Sequence, residues 1–482
     1  MSEVKVNKIT PTADCGTVTL GDSGDAITIP SGVTLTSGGA ITNSGTITNT
    51  GTISGGTISG NIDGQVSWQT TVKTTNFTAT AGEGYFVNTT SASITVTLPS
   101  SPSAGDLVGI KDYANTADTN KIVIGRNGEK IQGVEANYQI STEGLSIILI
   151  YVDSTKGWLS VGQAKASDIS EEALFTTATG GTVTTCGDFK IHSFTGPGTF
   201  CVSQIGNGPT NPAGGPTAVD YLVVAGGGSG GNYALGGGGA GGFRLGSVSP
   251  CATTPLSAPG LTITATSFPI TVGGGGTGGT QCTSSNGCRG SNSVFSTITS
   301  TGGGGGGNFP PSTPTPTDNS RGGSGGAIGR DAYLAGRTSS NNGNLPPVSP
   351  PQGNDGGVHV YPSCTSGSRG GGGAGGAVAP GGPPAPGGNA APVTPIFGAS
   401  PQPFYTGSPA NGSFAGGGGA GTFQGNGGSG GGSSGGTASN LSPGTGGNGQ
   451  TNTGGGGGSA GPGSTPGGAG GSGIVLIRYK FQ

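Results

Sequence analysis

Acid–base catalysis needs carboxylates or a histidine held within reach of one another, and this sequence supplies them sparsely. Beyond residue 220 the acidic residues are Asp318, Asp331 and Asp355, with no glutamate. Glycan cleavage would need two carboxylates flanking the scissile bond, and Glu129, Glu143, Glu171 and Glu172 lie elsewhere with nothing to pair them. The histidines, His192 and His359, are far apart and leave little for a Ser-His-Asp arrangement. Many G-x-G-x-x-G matches fall among glycine runs, but that fingerprint requires a strand–turn–helix context and a downstream acid. No Gly-Lys-Ser/Thr is present for a phosphate loop. The cysteines (Cys15, Cys186, Cys201, Cys251, Cys282, Cys288 and Cys364) are odd in number and widely spaced, against a fixed disulfide framework. Free thiols are the expectation, with a loop clip between Cys282 and Cys288 as the alternative. Without a paired C-x-x-C, zinc is not expected. The reading is a protein with no catalysis, no cofactor and no metal.

Recognition is the chemistry that the larger side chains suit. Tyr233, Phe309, Tyr333, Tyr361, Phe397, Phe404 and Tyr405 stand in proline- and serine-rich surroundings between glycine runs. Exposed aromatics on rigid loops give large contact area at low entropic cost. These are the receptor-binding candidates; the competing reading is that some of them plug the flanks of a glycine bundle.

The elements that would carry such loops are unusual. Of 482 residues, 111 are glycine and 33 proline, and 8% are charged, against roughly 7% glycine and about 25% charge in ordinary domains. The net charge of −3 is too small to indicate a partner, and the lack of a basic stripe argues against nucleic acid. The N-terminus lacks the features of a signal peptide, and no run of about 18 apolar residues could span a membrane. Synthesis in a cytoplasm and exit by another route, such as release inside a virus particle, is the expectation.

Composition divides the chain into four parts. In residues 1–64, Thr46-Ile47, Thr52-Ile53 and Thr57-Ile58 recur between turns of Gly, Asn or Ser. Single rungs of this kind cannot bury their isoleucines, whereas stacked rungs or three wound chains can, so the segment reads as a β-repeat shaft. Residues 65–165 read as a small antiparallel β-sandwich spacer. Strands are expected at 92–98 and 121–124, with a hairpin turn at Asn127-Gly128 leading to 130–131. The apolar run 145–152 suits a central strand, and Trp68, Tyr85, Tyr151 and Trp158 suit the core. Residues 166–225 read as a linker with lead-in strands. From 226 to 482 glycine runs (226–231, 236–242, 302–307, 370–373, 416–419, 454–458) alternate with longer segments.

Such composition is usually disordered. Against that stand the similar lengths of the runs and the strand-like segments 262–272, 294–299 and 474–479. An ordered solution exists: extended left-handed helices with three residues per turn, packed side by side and bonded laterally through amides and carbonyls. Collagen is excluded because its triplet repeat is absent. The fold class expected is all-β: an elongated fibre with a β-repeat shaft, a small antiparallel β-sandwich and a polyglycine-II bundle at 226–482 flanked by β-strands.

Three blocks carry a family resemblance: Asp220-Tyr221-Leu222-Val223-Val224-Ala225 leading through glycine to Phe243-Arg244, then Asn292-Ser293-Val294-Phe295, and Gly473-Ile474-Val475-Leu476-Ile477-Arg478-Tyr479. Together they resemble the glycine-rich domain of tailed-bacteriophage fibres and adhesins of marine or cyanophage type. Trp68-Gln69-Thr70-Thr71-Val72 and Gly82-Glu83-Gly84-Tyr85-Phe86-Val87 are similar to other parts of phage fibres. The resemblance implies a virion protein assembled in the host cytoplasm as a homotrimer. Its N-terminus would join the phage tail or an adaptor protein, and its tip would contact a host surface protein or glycan. No residue-by-residue contact transfers, because the segments between runs are long and proline-rich. Two rivals stand beside the tail fibre: a head or capsid-vertex fibre, and an ice-binding or extracellular matrix glycine-rich protein. The latter should show a flat, regular threonine array.

Overall fold

The computed structural model describes residues 65–161, 169–208, 214–232, 236–249, 254–278, 287–307, 318–327, 342–358, 369–378, 386–405, 411–421, 435–439, 444–461 and 466–482. The chain divides into two units, Met1–Ile62 and Asp63–Gln482. The expected β-repeat shaft at 1–64 lies outside the described residues.

The first part of the described chain is a two-layer β-sandwich. Its strands are β1 (Ser67–Lys73), β2 (Phe77–Thr78), β3 (Glu83–Val87), β4 (Ile94–Thr97), β5 (Leu107–Asp112), β6 (Ile122–Gly125), β7 (Tyr138–Ile140), β8 (Ser146–Asp153), β9 (Gly157–Val161) and β10 (Ile169–Glu171). One sheet runs β1-β3-β5-β8-β9 and the other β10-β7-β6-β4-β2. The sandwich is not purely antiparallel as the sequence suggested. β1–β3–β5 and β2–β4–β6 pair in parallel while the chain changes sheet at every step. The first six strands therefore coil, and antiparallel pairing begins where β7 and β8 turn back. Strand alternation reads equally well for either pairing direction, so the pattern alone left this open.

The inward residues of both sheets, among them Val96, Ile110, Ile124, Leu149 and Trp158, form one buried cluster. Trp68 is not part of it. Its ring lies on the outer surface over Gly84, where a Cβ would collide with it, and sits tilted against Phe86 at 5.2 Å. Asn127 and Gly128 both have positive φ, as the expected turn requires. The returning strand, however, is β7 and not 130–131.

The second part is built on two further sheets. Its strands are β11 (Thr177–Thr179), β12 (Thr182–Cys186), β13 (Phe189–Phe194), β14 (Gly198–Gln204), β15 (Ala218–Val224), β16 (Phe243–Ser247), β17 (Ser257–Pro259), β18 (Leu261–Thr262), β19 (Ser267–Thr271), β20 (Ser293–Phe295), β21 (Ile298–Ser300), β22 (Ala391–Pro392), β23 (Ser413–Phe414) and β24 (Ile474–Lys480). A short helix α1 (Thr394–Phe397) follows β22. One sheet runs β12-β13-β24-β15-β16-β17, with β18 also on β15, and a second runs β11-β14-β19-β20-β21. Residues 177–224, read from sequence as a linker with lead-in strands, are thus integral to both sheets.

The C-terminal strand is central, not peripheral: β24 pairs antiparallel with β13 on one side and β15 on the other. Its unbroken apolar run follows from burial on both faces. Ile474 and Leu476 join one cluster with Leu222, Val224 and Phe243. Val475, Ile477 and Tyr479 join another with Phe200, Tyr221 and Phe295, beneath the five-stranded sheet. Asp220 and Arg478 clamp this pairing with an ion pair at 2.7 Å, nearly closed to solvent.

The glycine runs continue the strands. β15 leads into 226–231, 236–242 leads into β16, β19 runs on into 273–278, 287–292 precedes β20, β21 is followed by 301–307, and 466–473 feeds β24. Successive amides of 226–231 turn to three neighbours in rotation. Gly226 and Ser229 donate to Ser291 and Cys288, Gly227 and Gly230 to Gly471 and Gly468, Gly228 and Gly231 to Gly239 and Gly236. The carbonyls turn to three others: Gly226 and Ser229 accept from Gly303 and Gly306, Gly228 and Gly231 from Gly457 and Ala460, and Gly227 from Gly276. This period of three is that of an extended left-handed helix, and six different segments surround the run. Residues 237–242 repeat the pattern, donating in rotation to 369 and 372, 457 and 454, and 304 and 301. The runs form a polyglycine-II-type bundle.

Spacing this close has no room for side chains. A Cβ added at Gly227, Gly228, Gly304 or Gly418 would sit inside the van der Waals shell of a neighbouring carbonyl oxygen. Alanines interrupt the runs where a methyl is useful: Ala240, Ala374 and Ala415 belong to the apolar cluster on the seven-stranded sheet. Ser229 uses its Oγ to accept from the Cys288 amide at 2.7 Å.

Gly304→Ala and Gly418→Ala should each destabilise by about 1–3 kcal/mol, as overpacking does. At Gly274 nothing lies within 4 Å of an added Cβ, so Gly274→Ala should be neutral or stabilise by up to about 1 kcal/mol through the unfolded state. Urea midpoints of the three variants check this contrast.

Candidate functional site

The aromatic candidates divide into two groups. Tyr233, Phe309, Tyr333 and Tyr361 lie outside the described residues. Phe397, Phe404 and Tyr405 are inside the molecule, at 0%, 4% and 6% exposure. Phe397 closes α1, and Phe404 packs edge-on to both Phe397 (6.4 Å) and Tyr405 (4.9 Å). The Tyr405 hydroxyl donates to the Gly398 carbonyl at 2.7 Å, and burial pushes its pKa well above the ordinary phenol range. These rings offer a receptor no surface, which corrects their reading as binding residues. The seven-stranded sheet is apolar on both faces, the five-stranded sheet covers one, and segment 391–405 contributes these rings to the cluster on the other.

A different group of residues converges on an open cleft of about 540 Å³. Arg244 is the second residue of β16. Its neighbours Phe243 and Leu245 enter the apolar cluster, so Arg244 projects from the opposite face. Arg289 and Asn292 come from the glycine segment ahead of β20, and Thr297, Thr299 and Thr301 from the β20–β21 hairpin and the residue beyond it. The spacing of two puts these threonines on one side of an end strand. Pro346 and Val348 complete the wall.

The walls are braced by side-chain bonds. The Gln352 side chain, 1% exposed, accepts from the Thr301 amide at 2.9 Å and donates to the Pro346 carbonyl at 3.0 Å. Asn344 Oδ1 accepts from the Val348 and Gln352 amides. Asn292 Oδ1 accepts from the Gly302 amide at 2.9 Å. Among the described residues, none that lines the cleft is acidic. Cys288, next to Arg289, is disulfide-bonded, contrary to the free-thiol expectation, while Cys186 and Cys201 are free. Sequence reasoning missed this cleft as a site because its residues come from four separated segments. The available signal was an arginine close to a glycine run in a chain with few cations.

A family model described as a glycine-rich domain matches residues 202–480. The chain belongs to this glycine-rich domain family. No curated protein matches the chain. The matched span opens within β14 and closes at the end of β24, so the glycine-rich domain comprises most of the two sheets as well as the bundle. Arg244, Arg289 and the threonines of the cleft all lie inside it.

Among the described residues of the glycine-rich domain and the sandwich, no cluster of three or more His, Cys, Asp or Glu is placed to hold a metal. One fully buried titratable group of the second part is His192, on β13. Its Nδ1 lies 2.6 Å from the Gly180 carbonyl, which can only accept, so Nδ1 carries the proton and Nε2 accepts from the Tyr479 hydroxyl at 3.0 Å. The imidazole also stacks on the Tyr479 ring. Burial, the main cause, pushes its pKa below the ordinary 6.5. This arrangement joins β13 to β24 and is structural.

Phe404→Ala should destabilise the protein by about 3–5 kcal/mol, and Tyr405→Phe by about 1 kcal/mol for the lost hydrogen bond, both read from urea unfolding. For His192, the unfolded chain takes up a proton as pH falls through 6.5 while the native state resists. Stability from this group should be level above that pH and decline below it, with a limiting slope of about 1.4 kcal/mol per pH unit. The fall in the urea midpoint between about pH 7.5 and 5.5 should be smaller in His192→Gln than in the parent chain.

Proposed function

We propose that this chain is a virion protein of a tailed bacteriophage, a fibre or adhesin whose glycine-rich domain recognises the host cell surface. The observation that carries the reading is the period-three lateral bonding of the glycine runs and their continuity with β15 and β24. The blocks that resemble phage fibres in sequence are the strands that anchor the bundle.

The bundle suits this role physically. Its backbone bonds are satisfied internally, so its segments are held in fixed positions with no side chains between them. Discrimination therefore falls to the loops and to side chains set at the margins of the runs, and binding residues concentrate where a rigid scaffold fixes the ends of variable segments. Homotrimer formation, attachment of the N-terminal region to a tail or adaptor protein, and residence in the virion belong to the same proposal.

The test is adsorption. Fluorescently labelled full-length protein, applied to a panel of marine bacteria including cyanobacteria, should decorate particular strains and block infection of those strains by phage. Antibody raised against it should label tail fibres in electron micrographs of the particles. Absence of binding to every strain, together with unlabelled particles, would overturn the reading.

A further inference from the structure

We propose that the outer face of the sheet β1-β3-β5-β8-β9 is the surface through which copies of this chain associate. Of the reading above this needs only the association of copies, not host recognition.

The usual alternation of apolar and polar residues fails on this sheet. β8 places Ile147, Leu149 and Tyr151 in the sandwich core, and the residues between and beyond them, Ile148, Ile150 and Val152, are apolar as well. A sheet with one face to water normally alternates apolar with polar. The companion sheet does so on β4, where Thr95 and Thr97 alternate with the core residues Ile94 and Val96. Strand registers set Trp68, Gly84, Gly109, Ile148 and Val161 in one row across all five strands. Leu107, Ile150 and Leu159 form part of the next row. None of these side chains joins an apolar cluster. Trp68, Val152 and Val161 are 37%, 40% and 43% exposed.

Exposed apolar side chains gathered on one face mark an interaction surface, and two features select a second copy as the occupant. Apart from the Trp68 indole N–H, neither row carries a charge or a hydrogen-bonding side chain. A charged partner or a glycan has little to pair with there, whereas two such faces meet without repulsion. The second feature is position. β1 opens at Ser67, just after residues 1–64, and Trp68 is its second residue. Ile47, Ile53 and Ile58 of that segment cannot be buried in single rungs and call for stacked rungs or wound chains. Chains wound together up to residue 64 start their β1 strands side by side, with this face a few residues away.

Tryptophan reports on the face. The chain has two, and Trp158 is fully buried, so acrylamide quenching reads Trp68. In the full-length protein, sedimentation equilibrium should show association and Trp68 should be shielded from the quencher. Val161→Lys should weaken association at least about tenfold, as burial of a charge implies, and should open Trp68 to quenching with unchanged thermal unfolding. Thr95→Lys, on the companion sheet, should do neither. A photoreactive benzoylphenylalanine in place of Val161 decides the matter even if Val161→Lys fails to fold. In an equal mixture of nitrogen-14 and nitrogen-15 protein it should give mixed-isotope links to residues of the same face, within 66–70, 84–86 or 148–161.

A monomeric parent, an associated protein with Trp68 open to quenching, or equal weakening by Thr95→Lys would each overturn the inference. So would mixed-isotope links that map to other faces. Single-isotope links to residues 1–64 would make that segment the occupant and overturn it as well. A monomer that still adsorbs to cells leaves host recognition standing while this inference falls. Mixed-isotope links on this face, in a protein that adsorbs to no strain, have the reverse result.

Discussion

A buried peptide group must find a hydrogen-bond partner, and in the glycine runs the partners are chiefly other runs. With three residues per turn, consecutive amides and carbonyls point in different directions, so one run needs neighbours on all sides. The six segments around 226–231 meet that need. Glycine is required there because a Cβ would occupy the space through which those bonds pass. Stability in this region comes from many short lateral bonds, and the apolar clusters are centred on the sheets.

The sheets solve the problem that the bundle cannot solve alone. A run of glycine has no side-chain pattern by which to choose its register. Strands β15, β16, β19, β20, β21 and β24 have registers set by which residues enter each apolar cluster, and they pass that register on to the runs that continue them. The few alanines at the inner margin of the bundle join the same cluster. The rings of Phe397, Phe404 and Tyr405 complete it, so segment 391–405 is a structural cover over the sheet.

Much of this was legible in the sequence because it depends on local composition. The glycine runs, the strands at 220–224 and 474–479, and the ordered alternative to disorder could all be read from residues close together in the chain. The parallel coil of β1 to β6 could not, because pairing direction is set by connections between sheets and not by alternation within a strand. Residues 177–204 read as a lead-in because their strands are threonine-rich and half-exposed. Phe404 and Tyr405 were assigned to the surface by their proline and serine neighbours, whereas an uncovered apolar sheet face decides their burial. The cleft was invisible because Arg244, Arg289, Thr299 and Pro346 meet only through the fold.

The central place of β24 bears on when the domain can form during synthesis. His192 bonds Tyr479 across 287 positions, and Asp220 bonds Arg478 across 258. While the ribosome is still short of residues 474–480, β13 and β15 flank a vacant slot, each presenting unpaired strand edge. Closure of the sheet therefore waits for β24, its loop-closure cost is high and its rate correspondingly slow. Nascent chains share the same open slot and the same missing strand, so they are exposed to exchanging strands with one another in that interval. Correct folding then depends on how well this slot is shielded until β24 arrives.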